Sequence, residues 1–306
     1  MELIIPPVDI KLIEKELTPD KFVRKTNVGG KSIYILNAHN APNTMLEIGR
    51  LREFTFRNAG GGTGKSVDID EYDTAEVPFQ QLIVWNEEEK EIISAYRFIL
   101  AKDVPLDENG YPHTPTSKMF YFSNDFIQNQ WGKCIELGRS FVQPKHQATA
   151  SRRENIFALD NVWDGLGALI HTYPEMEYFI GKMTMYNNYN QTARKLILDF
   201  LNHHFKGDPG LISPIIPPKT TREECADSNP FNNSSSSDEN FKLLNQKIRD
   251  LQEKIPPLIK TYLSLSPTIK YFGIAPNASF GSVEEMCILI SISEIYEKKK
   301  NRHVKF

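Results

Sequence analysis

The sequence predicts an α/β (α+β) fold in which a mixed central sheet is flanked by helices. Two strand-like runs, residues 81–85 and 91–100, are separated only by the polar segment 86–90, a spacing typical of a β-hairpin. Further along, a strand-like run at 136–142 precedes an apolar stretch at 155–170 that is long enough for a helix. Helical and strand patterns that alternate within one chain favour a sheet covered by helices.

Two helices and one strand are predicted before the hairpin. The helices cover residues 10–17 and 42–58, and the strand covers residues 32–36. In the longer helix, Thr44 and Glu47 have the spacing of a capping box, in which each side chain accepts a hydrogen bond from the other residue's backbone N–H. The glycines at 60–62 mark the end of this helix.

The rest of the chain predicts further strands and helices around one irregular segment. After the helix at 155–170, a strand is expected over 178–186 and a helix over about 190–205. The segment 207–240 is rich in proline and serine and predicts a mobile loop. Beyond it, a helix is expected over 241–265, and strands over 270–274 and 286–292.

The proline-rich segment is predicted to be an insertion within one domain. The C-terminal segment beyond it has too little apolar content for a core of its own, so its strands should join the sheet built by the earlier strands. The predicted organisation is a single domain over 1–306, with a lead-in at 1–40, a core at 41–206, the loop at 207–240 and a C-terminal helix and strands at 241–306.

Charge and cysteine content narrow the class of protein. The 36 basic and 39 acidic residues nearly balance, which argues against a general nucleic-acid binder. Cys134, Cys225 and Cys287 lack the spacing of a metal or redox motif and favour a reducing compartment. With no secretory signal and no apolar run of ~20 residues, we expect a cytoplasmic protein. The basic segment 298–305 leaves open a peripheral contact with the inner face of the membrane.

The strand at 136–142 carries the strongest indication of a site. Because strand side chains alternate, Glu136 should point to one face, and Arg139 and Phe141 to the other. Gly138 between them suggests a bulge, or a place where a ligand comes close to the backbone. This combination suits a strand that lines a site, although a surface strand with solvated charges would also fit.

The order helix, hairpin, strand, helix, strand, helix resembles the GNAT N-acyltransferase fold. The segment 46–193 resembles the ornithine-lipid and glycine-lipid N-acyltransferases, often labelled haemolysins and related to acyl-homoserine-lactone synthases. The residues that carry this resemblance are Arg50, Arg52, Asp70, Asp73, Arg97, Glu136, Arg139 and Trp163–Gly167. A second match lies in Ile255–Leu263 and Phe280–Glu285. The usual GNAT pyrophosphate loop does not follow the strand at 136–142. The acyl donor is therefore a thioester of either an acyl carrier protein or coenzyme A.

The resemblance implies catalytic roles for Glu136 and two tyrosines. An amine that attacks a thioester must be neutral, and a partly buried carboxylate at Glu136 can take its proton. A salt bridge to Arg139 or to another strand's arginine is the structural alternative. Tyr186 or Tyr189 could donate a proton to the leaving thiolate. Packing is the more ordinary role for an aromatic residue at a junction between strand and helix.

Two further sets of residues are predicted to bind the substrates. The acceptor set is Arg50, Arg52, Asp70, Asp73, Arg97 and Arg139. The set for the thioester and its phosphopantetheine arm is Phe141, Val142, Lys145, Arg152, Arg153 and Asn190. A structural ion network is the alternative for the first set, because unpaired buried charges are costly. A solvated basic loop is the alternative for Arg152 and Arg153.

The segment Ala59–Ser66 matches a permissive phosphate-loop pattern but has the wrong surroundings. A phosphate loop needs a strand before it and a helix after it, whereas a helix precedes this segment and the acidic run 68–73 follows it. We therefore expect no nucleotide site there, but a flexible loop that folds over the acceptor site.

Together these features predict an enzyme with two co-substrates. The resemblance implies an N-acyltransferase that moves a (3-hydroxy) fatty acyl group from an acyl carrier protein or coenzyme A to the amine of a small amino acid, in aminolipid synthesis. No metal and no permanently bound cofactor are expected. The alternatives are a short-chain GNAT acetyltransferase, and a non-catalytic scaffold that binds an acyl carrier or a lipid.

Overall fold

A computed structural model describes residues 1–147, 158–217, 229–231 and 234–304 of the chain. The strands are β1 (Phe22–Lys25), β2 (Ser32–Leu36), β3 (Gln80–Asn86), β4 (Glu91–Leu100), β5 (Phe120–Phe122), β6 (Cys134–Val142), β7 (Tyr178–Met185), β8 (Ile212–Pro214), β9 (Lys270–Asn277) and β10 (Val283–Ser291). The helices are α1 (Ile10–Glu16), α2 (Pro42–Ala59), α3 (Glu71–Thr74), α4 (Asn124–Asn129), α5 (Ala158–Thr172), α6 (Gln191–His204), α7 (Ser237–Asp250), α8 (Pro257–Leu263) and α9 (Glu297–His303).

Eight strands form one mixed sheet in the order β1-β2-β3-β4-β6-β7-β10-β9. Neighbouring strands run antiparallel except β6 and β7, which are parallel. β9 and β10, from the C-terminal part of the chain, lie beside β7 and extend the sheet. The predicted fold class, a mixed sheet completed by C-terminal strands, is confirmed. β5 and β8 form a separate two-stranded sheet.

Helices cover both faces of the large sheet, because its strands are apolar on both sides. Successive residues of β4 show this: Phe98 packs in the cluster formed with α5, α6, α7 and α8, whereas Ile99 packs in the cluster with the segment 101–131. A third cluster joins α1 and α2 to the sheet through residues such as Ile48 and Phe141. None of the helices in the described ranges is long and apolar enough to cross a bilayer.

The start of α2 is capped differently from the prediction. Thr44 and Glu47 do not form a capping box; instead the Glu16 carboxylate, at the end of α1, accepts the backbone N–H of Asn43 at 3.0 Å and of Thr44 at 2.7 Å. Burial would raise the pKa of Glu16, but these hydrogen bonds outweigh it and the pKa is lowered. Pro42 occupies the first turn of the helix, where its missing N–H costs nothing.

The helix expected over 241–265 is in fact two helices, α7 and α8. The break falls before Pro256 and Pro257, which have no N–H for an intrahelical bond and whose rings clash with the preceding turn. Within the expected loop 207–240, β8 pairs with β5, and α7 begins at Ser237. Residues 218–228 and 232–233 of that prediction lie outside the described ranges.

Candidate active site

The sheet opens between β6 and β7, the parallel pair. Their register runs from Cys134–Tyr178 to Leu137–Gly181 and goes no further. At Gly181 an added Cβ would lie 2.7 Å from the Leu137 carbonyl oxygen, so this last contact requires glycine. A cavity of about 450 Å³ lies at the opening, within the size range of small-molecule sites.

A β-bulge shapes the β6 side of this opening. Arg97 of β4 pairs with Gly138, but Ala95 pairs with Phe141, so β6 carries one extra residue between them. Arg139, within the bulge, has a positive φ of 48°. The predicted bulge is therefore present, although Arg139 rather than Gly138 takes the unusual backbone conformation.

Because of the bulge, the side chains of β6 do not alternate between the two faces as the sequence predicted. Leu137 packs in the cluster with α5 to α8, whereas Phe141 packs on the other face, its ring centroid 6.4 Å from that of Phe56 in α2. In an unbroken strand Leu137 and Phe141 would share a face. The cavity is consequently lined from both faces of the sheet.

The two walls of the cavity differ in character. Charged and polar side chains lie on the α2 face of the sheet: Arg97, Glu136, Arg139, Lys182, Thr184 and Glu285. Apolar and aromatic side chains lie on the α8 face: Tyr96, Leu137, Leu258, Ile259 and Tyr262. The hydroxyls of Tyr96 and Tyr262 are hydrogen-bonded at 3.1 Å on the apolar side. The cavity therefore has a polar half, in which these charged groups lie beside Phe56, Phe79, Phe141 and Phe280, and an apolar half that suits a hydrocarbon chain.

Glu136 lies on the polar wall, and within the described ranges only one of its two carboxylate oxygens has hydrogen-bond partners. Its Oε1 accepts the backbone N–H of Thr116 at 3.0 Å and the Thr116 hydroxyl at 2.7 Å. Its Oε2 has no hydrogen-bond partner among the described residues, although the side chain is only 1% exposed. No described arginine or lysine forms an ion pair with it, so the salt bridge to Arg139 considered above is absent. A buried oxygen without a partner is costly unless a ligand or water satisfies it.

Lys182 of β7, which the sequence did not single out, lies on the same wall. Its Nζ donates to the Thr116 hydroxyl at 3.3 Å, and thus shares Thr116 with Glu136. Burial lowers the pKa of Lys182, although the nearby carboxylates of Glu136 and Glu285 oppose this effect. The available signal was the alternation of Lys182 and Thr184 with apolar residues, which equally fits a solvated strand face.

Arg52, Arg97 and Arg139 belong to a buried ion cluster beside the cavity. The fully buried Asp73 carboxylate binds Arg52 Nη1 at 3.0 Å and Arg97 Nη1 at 3.2 Å. Burial would raise the pKa of Asp73, but the arginines outweigh it and the pKa is lowered. Asp70 binds Arg97 Nη1 at 2.7 Å and caps α3 together with Asp73.

The remaining arginines of the predicted acceptor set have separate partners. Arg139 pairs with Asp68 at 2.8 Å, and its guanidinium lies 4.4 Å from the Phe280 ring centroid. Arg50 pairs with Glu47 at 2.5 Å on α2 and is not part of the cavity wall. Of the predicted acceptor set, Arg97 and Arg139 line the cavity, while Arg52, Asp70 and Asp73 lie behind them.

The two candidate tyrosines lie in different places. Tyr186 lines the cavity, and burial raises its pKa to about 12, so its phenol is protonated at neutral pH. Tyr189 donates its hydroxyl to the Lys254 carbonyl oxygen at 3.0 Å and is not part of the cavity wall. Asn190 is likewise occupied, since its side chain caps α6 through the N–H groups of Thr192 and Ala193.

The predicted thioester-binding set is divided in the same way. Phe141 and Val142 line the cavity, while Lys145 forms an ion pair with Glu91. Arg152 and Arg153 lie outside the described residues.

Glu91 also binds His146 Nε2 at 2.7 Å, and with Glu89 these groups could approach a metal ion. The Lys145 ammonium already supplies a positive charge to Glu91, so we assign no metal there.

The glycine-rich segment Ala59–Ser66 wraps around a buried carboxylate. Glu53 accepts the backbone N–H groups of Thr63 at 2.9 Å and of Gly64 at 2.8 Å. These amides are therefore not free to bind a phosphate. This agrees with the expectation, drawn from the flanking elements, that the segment is not a nucleotide site. Gly61 packs against Tyr186, where an added Cβ would lie 2.9 Å from the ring, so the segment borders the cavity.

Known proteins resemble this chain over part or nearly all of its length. Residues 51–153 match the acetyltransferase (GNAT) domain family. The chain is 50% identical over 311 residues to a glycine N(alpha)-acyltransferase of Bacteroides thetaiotaomicron, which covers 99% of this chain and 90% of that protein. It is 47% identical over 304 residues to a glycine N(alpha)-acyltransferase of Phocaeicola vulgatus, covering 99% and 93% of the two chains. No solved structure matches significantly.

Proposed function

We propose that this chain, which belongs to the GNAT N-acyltransferase family, transfers a fatty acyl group from a thioester to the amino group of glycine. The observation that carries the proposal is the half-satisfied Glu136 carboxylate at the β6–β7 opening, beside an apolar chamber. The name of the relatives at 50% and 47% identity supports glycine as the acceptor. A non-catalytic scaffold does not fit this family, since the relatives are acyltransferases.

The two halves of the cavity give each co-substrate a place. Where β6 and β7 part after Leu137–Gly181, backbone N–H groups that would have paired across the strands are available to the thioester carbonyl. The acyl chain extends into the apolar half beside Leu258 and Tyr262. Glycine lies in the polar half beside Glu136, within reach of the acyl carbon.

The reaction then needs three proton transfers. Glu136 takes a proton from the glycine ammonium, because only the neutral amine attacks a carbonyl carbon. The new C–N bond forms, the C–S bond breaks and the thiolate leaves. The second proton of the nitrogen replaces the one that Tyr186 gives to the thiolate, and Glu136 releases the first proton to solvent. Tyr186, protonated at neutral pH, is the group on the wall that can give the thiolate a proton. The products are an N-acylglycine and a free thiol, and the net reaction releases one proton.

The donor is proposed as a long-chain, 3-hydroxy or unsubstituted, acyl thioester of an acyl carrier protein or of coenzyme A. It acts as a co-substrate, and the reaction requires no permanently bound cofactor. An N-acylated amino acid is a lipid, so the proposal assigns the enzyme to aminolipid synthesis. It also assigns the enzyme to the cytoplasm, with peripheral contact at the inner face of the membrane.

The test is acyl transfer by the purified protein, with products identified by mass spectrometry. Glycine, ornithine and an amine without a carboxylate are each offered with acetyl and long-chain thioesters, on coenzyme A and on carrier protein. We expect long-chain N-acylglycine as the main product. Transfer of acetyl groups alone would support the short-chain alternative, and transfer to ornithine in preference to glycine would contradict the acceptor.

A further inference from the structure

The polar wall of the cavity contains a cation, Lys182, that no described carboxylate contacts directly, although Glu136 and Glu285 act on it from a longer distance. Arg97 and Arg139 are paired with Asp70 and Asp68, at 2.7 Å and 2.8 Å. Lys182 Nζ, by contrast, makes no ion pair with a described residue; its hydrogen bond is to the Thr116 hydroxyl at 3.3 Å. Among the described residues, Lys182 therefore offers the cavity an ammonium with no carboxylate in direct contact.

We propose that Lys182 binds the carboxylate of the acceptor and so selects amino acids over amines that lack a carboxylate. The inference rests on the proposed function and adds a residue that determines acceptor specificity. An α-amino acid carries its ammonium and its carboxylate on the same carbon, so its site needs an anion and a cation close together.

Glu136 and Lys182 satisfy this requirement. They lie on the neighbouring strands β6 and β7 and are connected through a single hydroxyl, that of Thr116. Glu136 lines the cavity, and its Oε2 has no partner among the described residues, so it can accept a hydrogen bond from an ammonium. Glycine, bound with its ammonium at Glu136 and its carboxylate at Lys182, bridges the two strands where they part.

The electrostatics of the polar wall favour the same occupant. Burial lowers the pKa of Lys182, which means that its charged form is poorly solvated there. Glu285, the other carboxylate nearby, is already bound by Thr184 at 3.1 Å and Asn277 at 3.3 Å. A bound carboxylate gives Lys182 a charged partner in direct contact, and a charge-assisted hydrogen bond is stronger than the neutral one to Thr116.

The test compares glycine with glycinamide, which keeps the amine and loses the carboxylate charge. In the variant Lys182→Met we expect the KM for glycine to rise about 10- to 100-fold, the effect of losing one hydrogen bond between charged groups. The ratio of kcat/KM for glycine to that for glycinamide should fall by the same factor. The KM for the acyl donor and the kcat at saturating glycine should change little. Lys182→Arg keeps the charge and should retain most of the preference.

Lys102→Met is the matched control, because Lys102 is exposed and pairs with Glu175 on the surface. Folding of each variant is verified by its thermal unfolding temperature. If wild-type enzyme acylates glycine and Lys182→Met retains the full preference over glycinamide, Lys182 does not bind the carboxylate. A fall in kcat with unchanged KM would also overturn the inference. If wild-type enzyme does not acylate glycine at all, the proposed function fails instead.

Discussion

Glu136 and Lys182 differ in how readily a sequence reveals them. Glu136 stands in a short apolar run beside a glycine and an arginine, a combination unusual enough to draw attention. Lys182 stands in a strand where a lysine ordinarily faces water. Its position inside the molecule depends on β10, which comes about a hundred residues later and pairs with the edge of β7 that would otherwise be open. A local pattern cannot predict such a distant neighbour.

Replacing Glu136 by glutamine should slow acyl transfer without unfolding the protein. We expect the rate at neutral pH to fall about 10²–10⁴-fold, the range for loss of a general base. The glutamine side chain would keep an oxygen for the two Thr116 donors, so the melting temperature should stay near that of wild type. Raising the pH should partly restore the rate, because more of the amine is then neutral.

The exposed Glu175 provides the control, Glu175→Gln, which should keep the wild-type rate. Full activity of Glu136→Gln at neutral pH would remove Glu136 from the mechanism. Loss of the folded state in that variant would instead indicate a structural role for the carboxylate.

Asp73 should contribute stability that depends on pH. Asp73→Asn removes the shared partner of Arg52 and Arg97, and losing one member of a buried ion cluster costs about 3–5 kcal/mol of unfolding free energy. Because the pKa of Asp73 is lowered in the folded protein, its contribution is present above the unfolded value of about 3.9. The stabilisation by Asp73 is lost as the pH falls from about 3.9 towards the lower pKa that Asp73 has in the folded protein.

Urea unfolding of wild type and Asp73→Asn at neutral and acidic pH measures this contribution. The difference between the two proteins should shrink below about pH 4. The exposed Asp20 supplies the control Asp20→Asn, which should change stability little. A difference that stays constant down to low pH would contradict the assignment.

Several helices and strands were predicted from the sequence with nearly correct limits, although the helix expected over 241–265 is two helices. β2 and β4 have the predicted limits, and α6 differs from its prediction by about one residue at each end. The short strands β1, β5 and β8 escaped prediction, because three or four residues are too few to show an alternation. The cap of α2 was assigned to the wrong residue, since Glu16 comes from a different helix and no local spacing reveals it.

Gly167 is predicted to be essential for the contact between α5 and the C-terminal helix α9. A Cβ added there would lie 1.9 Å from the His303 carbonyl oxygen, a backbone atom that cannot rotate away. Gly167→Ala should therefore lower the unfolding free energy by about 1–3 kcal/mol, the usual cost of overpacking. Gly132→Ala is the matched control, because nothing lies within 4 Å of its added Cβ. Equal melting temperatures for the two variants would disprove the contact.

At the scale of the whole molecule, the C-terminal strands belong to the main sheet. β10 pairs with β7 from Ser291–Tyr178 to Glu284–Met185, and Phe280 and Glu285 line the cavity. A chain shortened to residues 1–264 would leave one edge of β7 unpaired and open the apolar cluster to water. We expect this fragment to lack the cooperative unfolding transition of the full chain, as measured by circular dichroism during heating. A fragment that unfolds cooperatively would contradict this prediction.

The cavity is lined by strands from the middle and from the end of the chain, and this sets the time at which the enzyme becomes active. β6 supplies Glu136 from the middle of the chain, whereas β10 supplies Glu285 and supports the strand of Lys182 from near residue 285. A ribosome therefore completes β6 long before the opposite wall exists. A nascent chain that has left the exit tunnel as far as β7 has no closed apolar chamber for an acyl group. Acyl transfer must wait until the last strands of the sheet have emerged and paired.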